Sequence, residues 1–568
     1  MNMERVFGID LGTTNSEIAY VADGKPVVVP VQDGERFLPS VVGVDRGGKI
    51  VTGFAARNQE AAFPEDTVLS IKRKMGSGET VTMAGKPYTP AEISSYILTT
   101  LKEAAERETG TAVRKAVITV PAYFTDLQRK DTIRAGELAG LEVVRIINEP
   151  TAAALAYGCR EGKGEKVLVY DLGGGTFDIS LMQIEKDVLE VLATDGDTLL
   201  GGDDFDALLV ERFLAELPPG AVGPDDRRAR ARLRAAAERL KIALSTETVQ
   251  EVREEFIATR DGKPLHLDLA VTRRELEQSI DGKLSKTFRL IDRVLGAAKV
   301  ADKDVSKVLL VGGSTYIPRI FDVLGDGRGF SVHREVDPTY AVAIGAAIQG
   351  AIIAGEPIGT ILVDVNSHSL GIRTLSISPD GMPDHDKYSI VIHRNTPIPT
   401  SMSETYYTMV DDQKAVDVET FQGESPVASE NTFIGSFDLK LPRRLPEGSE
   451  IDVTFAYDLN GIVEVSARER ISGAKKAARF DVNRLTDVSA RQPSDETSAV
   501  QAAAPVMDRG KCERILRSAR RKSNRFGIDP GLAARITEEA DRLEEALAEG
   551  RADAASLALG LAESIAGV

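Results

Sequence analysis

Two aspartates occupy equivalent positions in a short sequence motif that occurs twice in the chain. Asp10 follows the apolar run Val6–Ile9 and precedes Leu-Gly-Thr-Thr, while Asp171 follows Val167–Tyr170 and precedes Leu-Gly-Gly-Gly-Thr. Glycine lets a backbone approach an anion closely, turn amides and threonine hydroxyls donate to phosphate oxygens, and strand-end carboxylates hold hydrated magnesium. The repeated motif therefore predicts a site for a magnesium nucleotide.

Each aspartate stands at the end of an apolar strand, and an alternating run follows each turn. Ile18 and Tyr20 mark the alternation after the first turn, and Ile179 and Leu181 mark it after the second. This pattern is typical of the returning strand of a hairpin. One such turn would indicate only an ordinary hairpin, but two in register, with threonines, favour phosphate binding across a cleft.

A third glycine turn follows the apolar strand Val308–Val311. It reads Gly312-Gly313-Ser314-Thr315, and a helix is predicted to open near Pro318. A base or a ribose would lie against this turn. The sequence contains neither G-x-x-x-x-G-K-[ST] nor G-x-G-x-x-G, so a P-loop site and a dinucleotide fingerprint are excluded.

Composition and charge narrow the class of protein. At 568 residues with 42% hydrophobic residues the chain can bury several cores, and its length suggests about three or four domains. The net charge of -17 disfavours a nucleic-acid partner. No apolar leader or run of some 18 apolar residues occurs, so we expect a soluble, cytoplasmic protein with no membrane partner. Cys159 and Cys512 lie far apart and the five histidines lack metal-binding spacing, so neither a disulfide nor a zinc site is expected.

Changes of pattern divide the chain into five regions. Strands alternate with helices at first, and Thr89-Pro90-Ala91-Glu92 with Gly110 predicts one capped helix, whose buried stripe contains Ile93 and Ile97. Period-two alternation replaces this pattern later, with a hairpin turn predicted at Asn460-Gly461. The predicted regions are an α/β domain over 1–356, a linker over 357–365, an all-β module over 366–486, a flexible linker over 487–507 and short helices over 508–568.

Together these pieces resemble the heat shock protein 70 family of DnaK-type chaperones over residues 1 to about 486. The resemblance rests on the strings Ile9–Ser16, Ile118–Phe124, Arg145–Ala154, Asp171–Asp178, Leu200–Asp206 and Val311–Thr315. It implies a multidomain fold with an α/β actin-like ATPase domain of two lobes, an all-β sandwich that binds extended apolar peptide, and a short C-terminal helical bundle. It also implies slow ATP hydrolysis that switches peptide affinity, with ATP, ADP and Mg²⁺ as ligands. The implied partners are unfolded client polypeptides, a J-domain co-chaperone and a nucleotide exchange factor.

The resemblance assigns the ATPase site position by position. Lys72 would reach the γ-phosphate and the attacking water. The implied catalytic residues are Asp10, Lys72, Glu149, Asp171 and Thr176, and Mg²⁺ would be held through water by Asp10, Glu149 and Asp171 with Asp178 nearby. The implied nucleotide-binding residues are Gly12, Thr13, Thr14, Asn15, Gly173, Gly174, Gly175, Gly201, Gly202, Glu238, Lys241, Ser245, Gly312, Gly313, Ser314 and Tyr316.

Plainer interpretations exist for several of these residues. By its own pattern Lys72 would be a solvated helix charge, and Glu149 a carboxylate favoured by the dipole at a helix start. Glu238, Lys241 and Ser245 are also compatible with an ordinary amphipathic surface helix.

The resemblance also assigns residues for coupling and for peptide binding. The implied coupling positions are Pro121, Arg129, Arg145, Ile361, Leu362, Val363 and Asp364, although a plain edge strand is an alternative for the apolar linker. The implied peptide pocket contains Ile372, Leu375, Tyr406, Met409, Val416, Val418 and Ile462, of which half are also compatible with sandwich core.

The chain departs from the family pattern at several positions. Tyr316 replaces an arginine that lies over adenine, and Thr339 replaces an aspartate. A tyrosine ring still stacks on adenine but lacks the cation. The family loop Thr-Pro-Leu-Ser-Leu-Gly becomes Asn366-Ser-His-Ser-Leu-Gly371, in which His368 is interpreted as a surface loop residue. The long helix that crosses the peptide slot is replaced by a flexible stretch and short helices.

Two other classes of function share the paired hairpins. A sugar or small-molecule kinase would need an acceptor pocket in the same cleft and no linked β sandwich. An actin-like filament protein would lack the C-terminal modules. The chaperone hypothesis accounts for all of residues 1–486, and a specialised paralogue within the family is an alternative to a general chaperone.

Overall fold

The computed structural model describes residues 5–157, 163–185, 188–260, 262–334, 336–356, 361–377, 383–442 and 445–479, together with 537, 540–542 and 544. The chain divides into two compact units, Met1–Val488 and Ser489–Val568. In the second unit the described residues are helical and fall inside one of the short helices predicted over 508–568. The flexible linker predicted over 487–507, the other C-terminal helices and both cysteines lie outside the described residues.

The first part of the chain builds one mixed sheet with smaller sheets beside it. Its elements are β1 (Val6–Asp10), β2 (Asn15–Ala22), β3 (Lys25–Val28), β4 (Leu38–Pro39), β5 (Val42–Val44), β6 (Ile50–Thr52), α1 (Phe54–Gln59), β7 (Thr67–Val68), β8 (Val81–Met83), β9 (Lys86–Tyr88), α2 (Pro90–Thr109), β10 (Lys115–Val120), α3 (Asp126–Leu138), β11 (Glu142–Asn148) and α4 (Glu149–Ala156). The first sheet has the order β11-β10-β1-β2-β3, with β4 paired to β2. Strands β1 and β10 run parallel, whereas β1 and β2 form the predicted hairpin.

The second part repeats this hairpin in a larger sheet. Its elements are β12 (Lys163–Leu172), β13 (Phe177–Glu185), β14 (Val188–Asp197), α5 (Gly202–Glu216), α6 (Arg227–Ala243), β15 (Val249–Arg260), β16 (Lys263–Thr272), α7 (Arg273–Ala298), β17 (Lys307–Val311), α8 (Pro318–Asp322), β18 (Val332–His333) and α9 (Ala341–Ile353). The antiparallel β12–β13 pair and the strand before the third glycine turn, β17, lie side by side in it. The α/β alternation predicted for this part of the chain is therefore present.

The third part is all-β, as the period-two pattern predicted. Its strands are β19 (Ile361–Val365), β20 (Leu370–Ile377), β21 (Pro383–Ile392), β22 (Pro397–Ile398), β23 (Thr400–Tyr407), β24 (Ala415–Gln422), β25 (Thr432–Lys440), β26 (Glu450–Tyr457), β27 (Val463–Glu469) and β28 (Lys475–Arg479). Two sheets of the order β21-β20-β24-β25 and β23-β26-β27-β28 enclose one core, which contains Leu370, Val418 and Phe455. We call residues 366–479 the β module. The Asn460-Gly461 turn joins β26 to β27.

The linker strand β19 belongs to the second sheet. It pairs in parallel with β14, so that Leu189 lies opposite Leu362, and it pairs on its other side with β22 of the β module. The second sheet therefore has the order β18-β17-β12-β13-β14-β19-β22. The linker was predicted to act as a switch or to form a plain edge strand. In the structure it is a strand with a partner on each side, β14 and β22.

Local sequence signals account for individual elements. Helix α2 begins at the predicted capping box, in which the Thr89 hydroxyl accepts from the Glu92 amide and the Glu92 carboxylate accepts from the Thr89 amide. Gly110 ends the helix in the left-handed conformation at φ 65°. The predicted stripe of Ile93 and Ile97 is fully buried. Among the helices in the described part of the chain, none combines the length and the apolar character that crossing a membrane requires.

Helix α9 packs tightly on neighbouring backbone. A Cβ added at Gly345 would lie 1.7 Å from the Ala152 carbonyl oxygen, and one added at Gly8 of β1 would lie 2.0 Å from the Ala347 amide nitrogen. Helix α9 also shares a core cluster with β12, to which Val167 and Ala346 contribute. One small-residue helix therefore holds the first and second sheets together below the cleft.

We predict that Gly345→Ala lowers the thermal midpoint of unfolding by several degrees, because the added methyl group has no space against the Ala152 backbone and overpacking costs about 1–3 kcal/mol. The matched control is Gly296→Ala in helix α7, where an added Cβ meets no atom within 4 Å. That change should leave the midpoint unaltered or raise it, because alanine favours a helix over glycine by about 1 kcal/mol. The unfolding midpoints of both variants are measured by differential scanning calorimetry. Equal midpoints for Gly345→Ala and Gly296→Ala would contradict the tight packing of α9.

Candidate nucleotide site and its contacts with the β module

The two predicted turns meet face to face. A Cβ at Gly174 would lie 1.7 Å from the Thr14 hydroxyl oxygen, and a Cβ at Gly175 would lie 2.4 Å from the Thr13 side chain. The glycines are thus required for the close approach of the two turns to each other. Gly12 in turn has the Asn15 carbonyl oxygen 2.0 Å from its missing Cβ.

The third glycine turn closes the same cleft. The Ser314 hydroxyl donates to the Gly173 carbonyl at 2.8 Å, and the Gly202 amide donates to the same oxygen at 3.0 Å. Gly201, at the start of α5, has the Gly174 backbone 2.5 Å from its missing Cβ. The two turns predicted to bind phosphate and the turn predicted to contact a base or ribose therefore form one continuous surface.

Three buried carboxylates, one half-buried carboxylate and one buried lysine lie in this cleft. Asp10 ends β1, Glu149 opens α4, and Asp171 of β12 lies opposite Asp178 of β13 in the hairpin register. Lys72 donates to Glu149 at 2.5 Å, and the two side chains are 5% and 8% exposed. The interpretation of Lys72 as a solvated charge is therefore wrong.

Lys72 is carried by a short 3₁₀ turn, Ile71–Lys74, rather than by a long helix. Ser70 precedes this turn with a left-handed φ of 50°, an unusual conformation for a residue other than glycine. Its hydroxyl donates to Asp203 at 2.6 Å, so a contact across the cleft accompanies this geometry. Arg73 adds a second such contact, because its Nε donates to the Gly175 carbonyl at 3.0 Å.

The buried carboxylates repel one another. Burial, together with the charge of Glu149, raises the pKa of Asp10 to about 7 and that of Asp178 to about 8. The pKa of Asp171 is raised well above its usual range by the same two causes. Burial acts to lower the pKa of Lys72, but Glu149 and Asp10 outweigh it and raise that pKa. A concentration of negative charge of this kind attracts a cation.

The donor atoms fit a hydrated divalent cation. Among the described residues, Asp171 Oδ2 and Asp178 Oδ2 are buried oxygens without a hydrogen-bond partner. The other Asp178 oxygen accepts from the Tyr123 amide at 3.0 Å, and Asp10 Oδ1 accepts from the Thr119 hydroxyl at 2.7 Å. Hard carboxylate oxygens that reach a cation through water are the usual environment of Mg²⁺.

The adenosine end of the cleft contains the two departures from the family pattern. The Tyr316 hydroxyl donates to Asp337 at 3.1 Å, and the Thr339 amide donates to the same oxygen at 2.9 Å. The Arg334 guanidinium lies 5.9 Å from the centre of the Tyr316 ring and donates to the Thr315 carbonyl at 2.7 Å. Arg334 was not predicted, because no motif includes it. Its guanidinium places a positive charge near Tyr316, the residue that replaces the family's arginine.

The predicted contacts of α6 are partly engaged with protein. Lys241 donates to Asp206 at 2.7 Å and to the Gly202 carbonyl at 3.1 Å, and the Ser245 hydroxyl donates to the Lys241 carbonyl at 3.3 Å. Glu238 pairs with Arg57 of α1 at 2.5 Å. Arg57 was not predicted, and its pairing spans the mouth of the cleft.

Glu17 is a further missed residue of the cleft. It lies opposite Asp10 in the β1–β2 register and is buried, so its pKa is raised well above the usual range by burial and by Asp10. A glutamate inside the otherwise apolar alternation of β2 was the available signal.

The coupling residues form a chain of hydrogen bonds that ends beside the site. Asn148 donates to Asp364 of the linker strand at 2.8 Å and accepts from Arg129 at 2.7 Å. Arg129 also donates to the Ala122 carbonyl at 3.2 Å, next to the buried Pro121. Asn148 was not predicted as a coupling residue, although it immediately precedes Glu149. Arg145 lies close enough to Asp364 to interact electrostatically with it.

The β module contacts the first sheet and α3 directly. Buried Asp126 accepts from the Val463 amide at 3.0 Å, and the Asp126 amide donates to Gln422 at 3.0 Å. Asn460 of the predicted hairpin turn accepts from the Ile146 amide at 3.1 Å. A further ion pair joins Arg394 to buried Asp195 of β14 at 3.3 Å. None of these contacts was evident from the sequence.

The predicted peptide-pocket residues do not all come together. Ile372 and Val418 are buried, Tyr406 and Val416 are half-buried against the same core, and Leu375 and Met409 are 37% and 54% exposed. Ile462 lies in the turn after Tyr457, whereas Tyr406 pairs with Ile451 at the other end of β26. Six residues of strand separate those ends by about 20 Å, so Ile462 lies far from Tyr406.

The prediction of His368 as a surface loop residue is wrong. The side chain is 8% exposed, and its Nε2 lies 2.8 Å from the Tyr123 carbonyl oxygen. The loop is buried because it packs against the segment between β10 and α3, a contact between distant parts of the chain that local sequence does not encode.

A family model and individual related proteins point to the same family for this chain. A family model described as Hsp70 protein matches residues 6–80 and 77–546. The chain is 46% identical over 487 aligned residues to the chaperone protein DnaK of Thermotoga petrophila. The alignment covers 84% of this chain and 80% of that protein. The chaperone proteins DnaK of Thermotoga sp. strain RQ2 and Thermotoga maritima give the same identity and coverage.

We predict that Arg57→Ala speeds nucleotide dissociation by about 1.5- to 5-fold, because partly exposed ion pairs contribute about 0.2–1 kcal/mol. Stopped-flow release of a fluorescent adenine nucleotide measures the rate. The control is Arg253→Ala, which removes an arginine paired with Glu251 at 3.0 Å on the β15–β16 hairpin. Equal acceleration in both variants would contradict a role for the Arg57–Glu238 pair in closing the cleft.

Proposed function

This chain belongs to the Hsp70 family, and we propose that its cleft, linker strand and β module act as one ATP-driven switch. It is an ATP-dependent molecular chaperone with ATPase activity. The division that we propose is an ATPase domain over 1–356, a linker over 357–365, a substrate-binding module over 366–486, a second linker over 487–507 and a helical segment over 508–568. The kinase and filament hypotheses are set aside, since neither accounts for the family match.

We assign the chemistry to charge neutralisation and positioning. The Thr13-Thr14 and Gly173–Thr176 turns would bind the phosphates, and Mg²⁺, when bound through Asp10, Glu149 and Asp171, would supply positive charge to them. Lys72 would neutralise charge as the γ-phosphate departs. Its charged state is supported by the raised pKa that Glu149 and Asp10 impose against burial. Slow hydrolysis is expected, because in this assignment the rate depends on positioning and charge neutralisation.

One observation carries the coupling proposal. The linker strand β19 extends the sheet that contains Asp171 and Asp178, and Asp364 at its end accepts from Asn148, the residue before Glu149. Leu362 is half-buried against the neighbouring core, and complete burial of such a side chain contributes about 1.5–3 kcal/mol. Reversing a 1:99 equilibrium requires about 5.5 kcal/mol, so a few such side chains suffice to switch the domains.

The β module would bind the client. Exposed Leu375 and Met409 with half-buried Tyr406 offer apolar surface beside strand edges, which suits an extended hydrophobic segment of an unfolded polypeptide. A J-domain co-chaperone and a nucleotide exchange factor are further proposed partners, in keeping with the family.

We predict that Lys72→Ala lowers single-turnover ATP hydrolysis by about 100- to 1000-fold while leaving ATP binding largely intact, because the lysine's charge is needed mainly as the γ-phosphate departs. The matched control is Lys74→Ala in the same 3₁₀ turn, where the lysine is exposed and pairs with Glu79 at 3.4 Å. It should hydrolyse ATP at the unmodified rate. Hydrolysis by Lys72→Ala within threefold of the unmodified protein would overturn the assignment.

We predict that Leu362→Asp abolishes the acceleration of peptide release by ATP, since a carboxylate in the linker strand must be desolvated without a partner. Release of a labelled apolar peptide is followed at pH 7.5 with ATP and with ADP. Leu138→Asp, at an exposed position of α3, serves as the control and should keep the acceleration. An unchanged response of Leu362→Asp would show that the linker strand is not the switch.

A further inference from the structure

His368 joins the β module to the segment that follows strand β10. Because a carbonyl oxygen only accepts, the imidazole Nε2 donates to the Tyr123 carbonyl oxygen at 2.8 Å. The two rings also lie against each other, with centroids 4.0 Å apart. The neighbouring Ser367 hydroxyl donates to the Ala122 carbonyl. Two consecutive side chains of one loop thus hold two consecutive peptide units of another.

The same segment reaches into the nucleotide cleft. The Tyr123 amide donates to Asp178 Oδ1 at 3.0 Å. Tyr123 therefore bonds to His368 through its carbonyl and to Asp178 through its amide. A displacement of the His368 loop would move the amide that positions this buried carboxylate.

We propose that His368 is a positioning residue that ties the β module to the segment holding Asp178, and that protonation of its imidazole releases the tie. The proposal deepens the coupling proposed above and rests on it. His368 would make the proposed switch depend on pH. The family loop has leucine at this position, and leucine does not titrate.

The charges around the imidazole set the direction of this dependence. Burial opposes the charged ring, and Arg394 and Arg129 repel it, whereas the Tyr123 carbonyl and Glu424 favour it. Glu424 already accepts from the Ser369 amide at 2.8 Å and from the Ser369 hydroxyl at 3.0 Å. The net effect is a lowered pKa of His368 when the loop is in place.

The sign of the effect follows from linkage. A histidine in water has a pKa of about 6.5, so the ring gains a proton more readily when the loop has left its place. The contact is therefore fully stable above about pH 6.5 and weakens as the pH falls below that value. When the packed ring stays neutral over this range, the ratio of packed to displaced loop falls about tenfold between pH 7.5 and 5.5.

Amide hydrogen exchange of the full chain tests this directly. The exchange protection of residues 120–125 and 361–365 is measured at pH 7.5 and 5.5 for the unmodified protein, His368→Gln, His368→Leu and His385→Gln. Comparison of variants at one pH removes the dependence of the intrinsic exchange rate on pH. His385 lies exposed in β21 and controls for the loss of a histidine. The leucine variant, which carries the family residue, replaces the glutamine variant if that one fails to fold at pH 7.5.

The expected result is that the unmodified protein and His385→Gln lose about tenfold in protection at pH 5.5, while the His368 variants change by less than twofold. A parallel change in all proteins, or no change in any, would overturn the proposal. Absence of protection in the unmodified protein at pH 7.5 would overturn it too, because the contact would not exist. Failure of the coupling itself is recognised separately, as peptide release that does not respond to ATP at pH 7.5.

Discussion

Like charges buried together are the constraint around which this molecule is built. Asp10, Glu149, Asp171 and Asp178 share one cleft with Lys72, and the pKa values of three of these carboxyls are raised in consequence. Holding such a group of charges away from water costs several kcal/mol per ion unless partners compensate. The sheets, the turns and α9 supply the rigidity that keeps the carboxylates together. A divalent cation bound among these carboxylates would relieve their repulsion.

The carboxylates come from elements that also carry the contacts with the β module. Asp171 and Asp178 belong to the sheet that the linker strand extends, and Asp178 is held by the segment that His368 contacts. Glu149 follows a residue that bonds to the linker. In the proposed switch, a change in the cleft would therefore reach the β module through a few hydrogen bonds, without a long path through the core.

Much of the site was predictable because its signals are local. Two strand-turn-strand motifs predicted the positions of Asp10 and Asp171 at strand ends. A capping box predicted the start of α2, and period-two alternation predicted the β module. What the sequence did not reveal depends on contacts between distant segments. His368 reads as a polar loop residue until the loop is packed against Tyr123, and Arg334 acquires meaning only beside Tyr316. Ile462 was assigned to the pocket by the family resemblance, and the contact of its turn with the first sheet was not evident from the sequence.

The adjacency of Asn148 and Glu149 has a thermodynamic consequence. One residue bonds to Asp364 of the linker and the next to Lys72 of the cleft, so a single peptide bond separates the two ends of the switch. Coupling between sites is reciprocal for binding free energies. If the nucleotide alters the affinity of the β module for a client by some factor, a bound client must alter the affinity for that nucleotide by the same factor. The nucleotide occupancy of the chaperone would then report how much unfolded polypeptide surrounds it.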